Sequence, residues 1–271
     1  MKRTAQLLAV LAAGLALFSA TGCNKLKARD QLNKGVGAYK SAKYEEAIGH
    51  FQQAVELDPT LENARLYLAT AYAQQFIPGV DAPDNNRFAE QAVEQYKAVL
   101  EKDPKSVNSV KGIAYLYLQQ KKFDDAKAFY RKALEIDPND PEPYYSIGVI
   151  DWTQSYQPRM EERAKIGLKP EEPLKDKKVC AALKAKAWDP INDGLEQLNK
   201  ALQIRPDYDD AMAYMNLLYR EKADVECDDL PTRTADLKTA DDWVNKTMAT
   251  KKAKAEKQPA SNGVSMEQPK Q

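Results

Sequence analysis

The chain carries few side chains able to do covalent or metal chemistry. Its sole histidine is His50, and its three cysteines, Cys23, Cys180 and Cys227, are too widely spaced to form a C-x-x-C pair. One histidine nearly excludes a His-based triad or a multi-histidine zinc site. His50 precedes Phe51 and reads as a surface residue on the outer side of a helix. Gly35-Val36-Gly37 lacks the Lys-Ser/Thr that a phosphate-binding loop requires. The carboxylate pairs Asp209-Asp210 and Asp228-Asp229 have no identifiable acid–base partner and read as helix N-caps or solvated turns. The expectation is a protein with no catalytic residues, no metal and no cofactor, hence not an enzyme and without a small-molecule substrate.

What remains to be explained is the frame that carries these residues. The 271 residues hold 40 basic and 40 acidic side chains, a formal net charge of zero. That balance argues against a nucleic-acid partner, which needs a basic surplus to displace counterions from phosphate. Hydrophobic residues are 43%, charged residues 30% and mean hydropathy is −0.65. These values fit a helix-rich soluble chain better than a polytopic membrane protein.

Residues 1–22 look like an address. Lys2 and Arg3 precede an apolar run, Leu7 to Phe18, then the small residues Ser19-Ala20-Thr21-Gly22 and Cys23. The run is too short to span a bilayer and reads as a secretory signal peptide. Ala20-Thr21-Gly22-Cys23 resembles a bacterial lipobox, with Ala20 where that motif usually has Leu. The resemblance implies a diacylglyceryl thioether on Cys23, cleavage before it and acylation of the new amino group, so that 23–27 becomes a lipid-anchor linker. Ala20 and Gly22 also satisfy an ordinary signal peptidase, which would leave a soluble periplasmic protein. Asn24 follows the cysteine; an Asp there would imply inner-membrane retention in bacterial sorting, so its absence favours the outer membrane.

From residue 28 a pattern recurs. YEEAIGHFQQAVELDP, AEQAVEQYKAVLEKDP, FDDAKAFYRKALEIDP and INDGLEQLNKALQIRP each place a small residue (Ala47, Ala92, Ala126, Gly194), a large one four later (Phe51, Tyr96, Tyr130, Leu198) and a closing proline (Pro59, Pro104, Pro138, Pro206). Spacings of four and three mark one face of a helix, and the proline stops it. Upstream of each lies another helical pattern with a small residue at Gly35, Ala69, Ala114 or Gly148, which lets two antiparallel helices approach closely. A fifth, degenerate unit joins AMAYMNLLYREKA (211–223) to ADLKTADDWVNKTM (235–248).

This pattern resembles the tetratricopeptide repeat (TPR), a helical hairpin of 34 residues. The resemblance implies an all-α fold, a TPR α-solenoid of about five hairpins on one continuous core. Its units lie near 28–61, 62–106, 107–140, 141–208 and 209–250, and a disordered tail, 251–271, follows. Pro59 to Pro104 spans 45 residues and Pro138 to Pro206 spans 68, so insertions fall inside the second and fourth hairpins, with a further one before Ala240. All sit at turns that share one edge of such a stack. The insertion in the fourth unit reads either as a long extension of that hairpin, broken near Gly167 and open to a kink at Pro190, or as a hidden degenerate repeat. Cys180 lies 14 residues before Gly194 and Cys227 11 residues after Asn216, rises of about 21 and 16 Å toward the same edge. They either form a disulfide clipping the fourth hairpin to the fifth or remain two buried thiols.

In TPR proteins the first helices of the hairpins line a concave groove. Outward positions on those helices here are Tyr39, Asn63, Asn108, Lys111, Tyr115, Tyr145, Trp152, Tyr214 and Arg220. Aromatic residues mixed with a few polar ones suit a peptide or a partner helix. The family's clamp for C-terminal carboxylates needs Lys and Asn where this chain has Leu32 and Val36, so that ligand class does not fit. The expected function is a membrane-tethered, non-catalytic scaffold in the bacterial cell envelope, assembling or recruiting an envelope complex through a protein or peptide partner. A soluble periplasmic peptide-binding module and an accessory subunit of an envelope enzyme are the alternatives.

Overall fold

The computed structural model describes residues 23–169, 172, 174–227 and 229–257, so the expected signal peptide and most of the expected tail lie outside it. The described residues form helices joined by short turns, and they belong to two units divided between Asp137 and Pro138.

Unit 1 comprises α1 (23–40), α2 (Tyr44–Leu57), α3 (Glu62–Gln75), α4 (Pro83–Leu100), α5 (Val107–Gln119) and α6 (Phe123–Ile136). They pair into three hairpins whose interiors follow the small-against-large pattern. Phe51 is fully buried over Gly35, where a Cβ would lie 2.5 Å from its ring. Tyr96 covers Gly112 of the next hairpin just as closely, again 2.5 Å from a would-be Cβ. Ala69 and Ala114, in the equivalent small slots, are fully buried. Burying a side chain the size of Phe51 contributes about 1.5–3 kcal/mol, and only a residue without a side chain leaves it room. The insertion of the second hairpin forms the loop from Phe76 to Ala82. Buried Asn85 braces it, accepting from the Ile77 N–H (2.7 Å) and donating to the carbonyls of Ile77 (2.9 Å) and Val80 (2.7 Å).

Unit 2 contains α7 (Pro141–Lys165), α8 (Lys177–Ile204), α9 (Asp209–Asp224) and α10 (Leu230–Lys257). Leu198 sits on Gly148 and Leu218 on Gly194, at 2.5 and 2.7 Å from would-be Cβ atoms. The fourth hairpin is an extension: α7 and α8 run 25 and 28 residues and continue through Pro158 and Pro190. Gly167 ends α7 with φ +68°. The Leu168 N–H donates to the Arg163 carbonyl (2.9 Å) and the Gly167 N–H to that of Ala164 (3.2 Å), the Schellman arrangement that satisfies the last carbonyls of a helix. Asp176 then caps α8, accepting from the N–H groups of Lys178 and Val179.

The extension is held by charges and sulfur. Arg159 binds Glu221 through two parallel hydrogen bonds, 2.6 and 2.9 Å, and reaches Asp224 at 2.7 Å. Fully buried Arg163 also donates to Asp224 (3.2 Å) and to the carbonyls of Lys169 (2.5 Å) and Glu172, which ties down the turn between α7 and α8. Burial pushes the Glu221 carboxyl above its ordinary range, against the opposing pull of Arg159. Beside this network Cys180 of α8 and Cys227 form a disulfide with Cα atoms 5.6 Å apart, and Lys184 pairs with Glu226 at 3.2 Å.

Two boundaries differ from the sequence reading. Residues 23–27 belong to α1 instead of a linker, because Ala28 is already fully buried one turn in. Residues 251–257 continue α10 instead of opening the tail, since Lys254 reaches back to Asp209 at 2.5 Å. Within unit 2 a buried apolar cluster runs from Leu174 to Val225, and within unit 1 one runs from Ala38 to Leu116.

Candidate partner-binding surface

Helical spacing places the outward residues of unit 1 on matching faces of α3 and α5. Asn63 is exposed on α3, and Tyr67 one turn later is 42% exposed and stacks on Phe51 at 5.6 Å. Sequence reasoning missed Tyr67, although its offset of four from Asn63 puts it on the same face. On α5, Asn108 is exposed, Lys111 half-buried and Tyr115 47% exposed, at spacings of three and four. Tyr39 on α1 is half-buried and meets Tyr44 edge-on at 5.3 Å. Leu32 and Val36, in the slots where a carboxylate clamp needs polar side chains, pack against the unit 1 core.

Unit 2 gathers its aromatic residues. Tyr145, Trp152 and Tyr156 follow one another along α7 at offsets of seven and four. Trp152 stacks on Tyr156 at 4.9 Å and meets Tyr214 of α9 edge-on at 5.4 Å. Tyr145 touches Tyr214 at 5.7 Å and Tyr208, from the turn before α9, at 4.9 Å. All five rings are half-buried, so they pack one another while keeping part of their surface in solvent. The Trp152 indole N–H is buried without a hydrogen-bond acceptor and sits among the rings of Tyr156 and Tyr214. Burial pushes the hydroxyls of Tyr145 and Tyr214 above the ordinary tyrosine value and that of Tyr208 to about 12. Aromatic rings that pack one another offer large contact area at little conformational cost.

Other singled-out residues have partners within the chain. Arg220 is exposed but reaches away to Asp241 of α10 at 2.6 Å and to Asn216 at 2.9 Å; an acidic partner on the next helix captures it. His50 is less exposed than a surface residue and hydrogen-bonds Gln31 of α1 at 2.7 Å. Asp229 caps α10 through the N–H and hydroxyl of Thr232. Cys23 is exposed, with a free thiol. Among the described residues no group of three or more His, Cys, Asp or Glu is placed to hold a metal ion, and no helix is long and apolar enough to cross a membrane.

A cleft of about 410 Å³ lies elsewhere, between the Asn85-braced loop and the turn from α5 to α6 in unit 1; Phe76, Val80, Glu90, Gln120 and Lys122 line it. The sequence marked 76–86 as an insertion but gave no sign of this cleft, because the residues opposite it, Gln119 to Lys122, belong to the next hairpin.

Stacked hairpins with a small residue under a large one, and aromatic residues outward on their first helices, define a helical-repeat interaction module. Sequence profiles of the tetratricopeptide repeat match residues 28–61 and 89–147, so the chain carries tetratricopeptide repeats in those segments. Among solved structures it is similar to a crystal structure of MamA protein, with TM-score 0.58 and 14% identity over 86% of this chain and 97% of that one. The MamA of Desulfovibrio magneticus RS-1, from its position 41 to its end, gives TM-score 0.56 and 15% identity over 84% of this chain and 96% of that one. At such identities the likeness is one of fold. Among curated proteins, none matches this chain. Repeats of this kind present extended surfaces to protein partners, and the fold makes this chain a scaffold for protein–protein interaction.

Proposed function

We propose that the protein is a lipid-anchored scaffold of the bacterial cell envelope, facing the periplasm from the outer membrane, and that it holds a protein partner on the aromatic surface of unit 2. The observation that carries this reading is the ring cluster of Tyr145, Trp152, Tyr156, Tyr208 and Tyr214. Half-exposed Tyr and Trp side chains held rigid by one another are the residues that dominate binding energy at protein interfaces. The charge balance supports a protein over a polyanion. The exposed Cys23 after an apolar run supports the anchor, and the Cys180–Cys227 disulfide suits an oxidising compartment.

The scaffold would assemble or recruit an envelope complex, with the acyl chains on Cys23 supplying the tether. A photo-crosslinking residue at 152, and separately at 115, tests the partner surface in living cells. The expected result is one discrete protein adduct from position 152, lost on Tyr214→Ala. Adducts from 115 alone would move the site to unit 1. Fractionation tests the tether: Cys23→Ala is expected to shift the protein from membranes to the soluble periplasm, whereas no shift would favour the soluble peptide-binding module.

A further inference from the structure

The first described turns of α1 are helical from Cys23 and expose Lys25, Leu26, Lys27 and Arg29, while Ala28 is buried. Leu26 is 72% exposed. At about 100° per residue it lies on the side of the helix opposite Ala28, so it packs on nothing in its own hairpin. Three basic residues surround it. The acidic groups nearby offset them only in part: Asp30 is paired with Lys34 at 2.8 Å, and the single carboxylate of Asp58, just after α2, is shared between Lys25 and Arg29.

An exposed leucine within a ring of cations is the composition of a surface that rests on an anionic lipid leaflet. The leucine enters the headgroup boundary, and each Lys or Arg gains from the negative surface potential. Leu26 stands only about 4.5 Å along the helix axis from Cys23. Acyl chains on that cysteine would hold this patch against the headgroups, and one lipid signal is commonly completed by a basic patch. We infer that Lys25, Leu26, Lys27 and Arg29 form a contact surface for an anionic phospholipid bilayer, seating α1 directly on the membrane. This rests on the lipid-anchor reading of Cys23. Acyl chains alone would give a tether; the patch would give an orientation.

The chain carries its own comparison. Met248 on α10 is also exposed, at 66%, with Lys246, Lys251 and Lys252 near it in sequence, but it lies 225 residues from the cysteine. A photo-crosslinking residue is placed at 26 or at 248 in the full chain expressed in its bacterial host. The acylated protein is purified and reconstituted into vesicles of phosphatidylethanolamine with phosphatidylglycerol, and in parallel into phosphatidylcholine alone. The expected result is a lipid adduct from position 26, at least fivefold above that from 248 and enriched in the phosphatidylglycerol vesicles. Lys25→Glu/Lys27→Glu/Arg29→Glu, with Cys23 kept, is expected to lower that yield severalfold while acylation and circular dichroism are unchanged. Acylated protein giving no adduct from 26, or as much from 248, overturns the contact surface and leaves the anchor standing. Protein without acyl groups that fails to join the vesicles overturns both. Adducts from 26 without acylation support the patch and overturn the anchor.

Discussion

The same repeat is stabilised in two ways in this molecule. In unit 1 most helices keep to the length of the repeat: apart from α1 and α4 they run 13 or 14 residues, the insertion of the second hairpin being mostly a loop, and their interiors are aromatic rings on glycine and alanine. Among the described residues, the buried charged side chains Asp151, Arg159, Arg163, Glu221 and Asp236 all belong to unit 2. There α7 and α8 outrun the interface that the repeat provides, and the overhang is fixed by an ion network and a disulfide. The difference shows what the repeat can supply. Its small-on-large contacts hold two helices for about four turns, and beyond that length other chemistry must be recruited. Polar groups replace apolar ones because the overhang meets the carboxylates at the end of α9 and the carbonyls of its own turn, which need partners.

The largest effect that would break this contrast is the loss of one buried charge. Arg159→Ala strands Glu221 and half of Asp224 in unit 2. It is expected to destabilise that unit by about 3–5 kcal/mol, read as a drop in urea midpoint confined to amides of 138–257 by hydrogen exchange. Equal loss in unit 1 would show that the two unfold as one. Next comes the disulfide, which spans a sequence separation of 47. Chain-entropy arguments give about 4 kcal/mol for such a loop and measured bridges typically 2–4. Reducing agent should therefore lower the melting temperature of unit 2 and leave that of unit 1 in place. Non-reducing mass spectrometry of exported protein should show a 180–227 peptide pair, and free thiols on both residues would remove the bridge from the account.

Glycine substitutions sharpen the contrast from the other side, because here the units should agree. Gly35→Ala drives a methyl into the Phe51 ring and Gly148→Ala into Leu198 Cγ, each at a cost of about 1–3 kcal/mol by chemical denaturation. A neutral result at either would mean that its hairpin can spread. The smallest expected effect is local. Asn85→Ala removes three hydrogen bonds from the 76–82 loop and should raise amide exchange there, with a global loss of only about 1 kcal/mol.

The fold was legible because it rests on offsets of four and seven between small and large residues, and these survive in one sequence. The sequence left the long fourth hairpin and a hidden repeat as alternatives; the unbroken 25 and 28 residues of α7 and α8 give the hairpin. The ion network was not legible as a network: Arg159 and Glu221 are 62 residues apart and no local rule joins them. Yet Ser155, Arg159 and Arg163 fall at helical spacing on one face of α7, a polar stripe that marks where an apolar interface stops. The aromatic surface was half legible. Tyr145, Trp152 and Tyr214 stood out as outward positions, whereas Tyr156 and Tyr208 did not, because a turn residue or an extended helix lies outside the repeat's register. The bond from Arg220 to Asp241 was not legible either, because its own helix says nothing about the next one.

The Cys180–Cys227 bond also has a mechanical meaning. It closes most of α8 and all of α9 into a covalent ring. A pull on the chain from either end passes through the two sulfur atoms, and the residues between them bear no tension even after the helices around them have given way. Stretched to full length, the chain would come up about 160 Å short of its contour, at roughly 3.5 Å for each of the enclosed residues. For a molecule built to join partners, α9 and the Tyr214 it presents lie on the stretch that load bypasses.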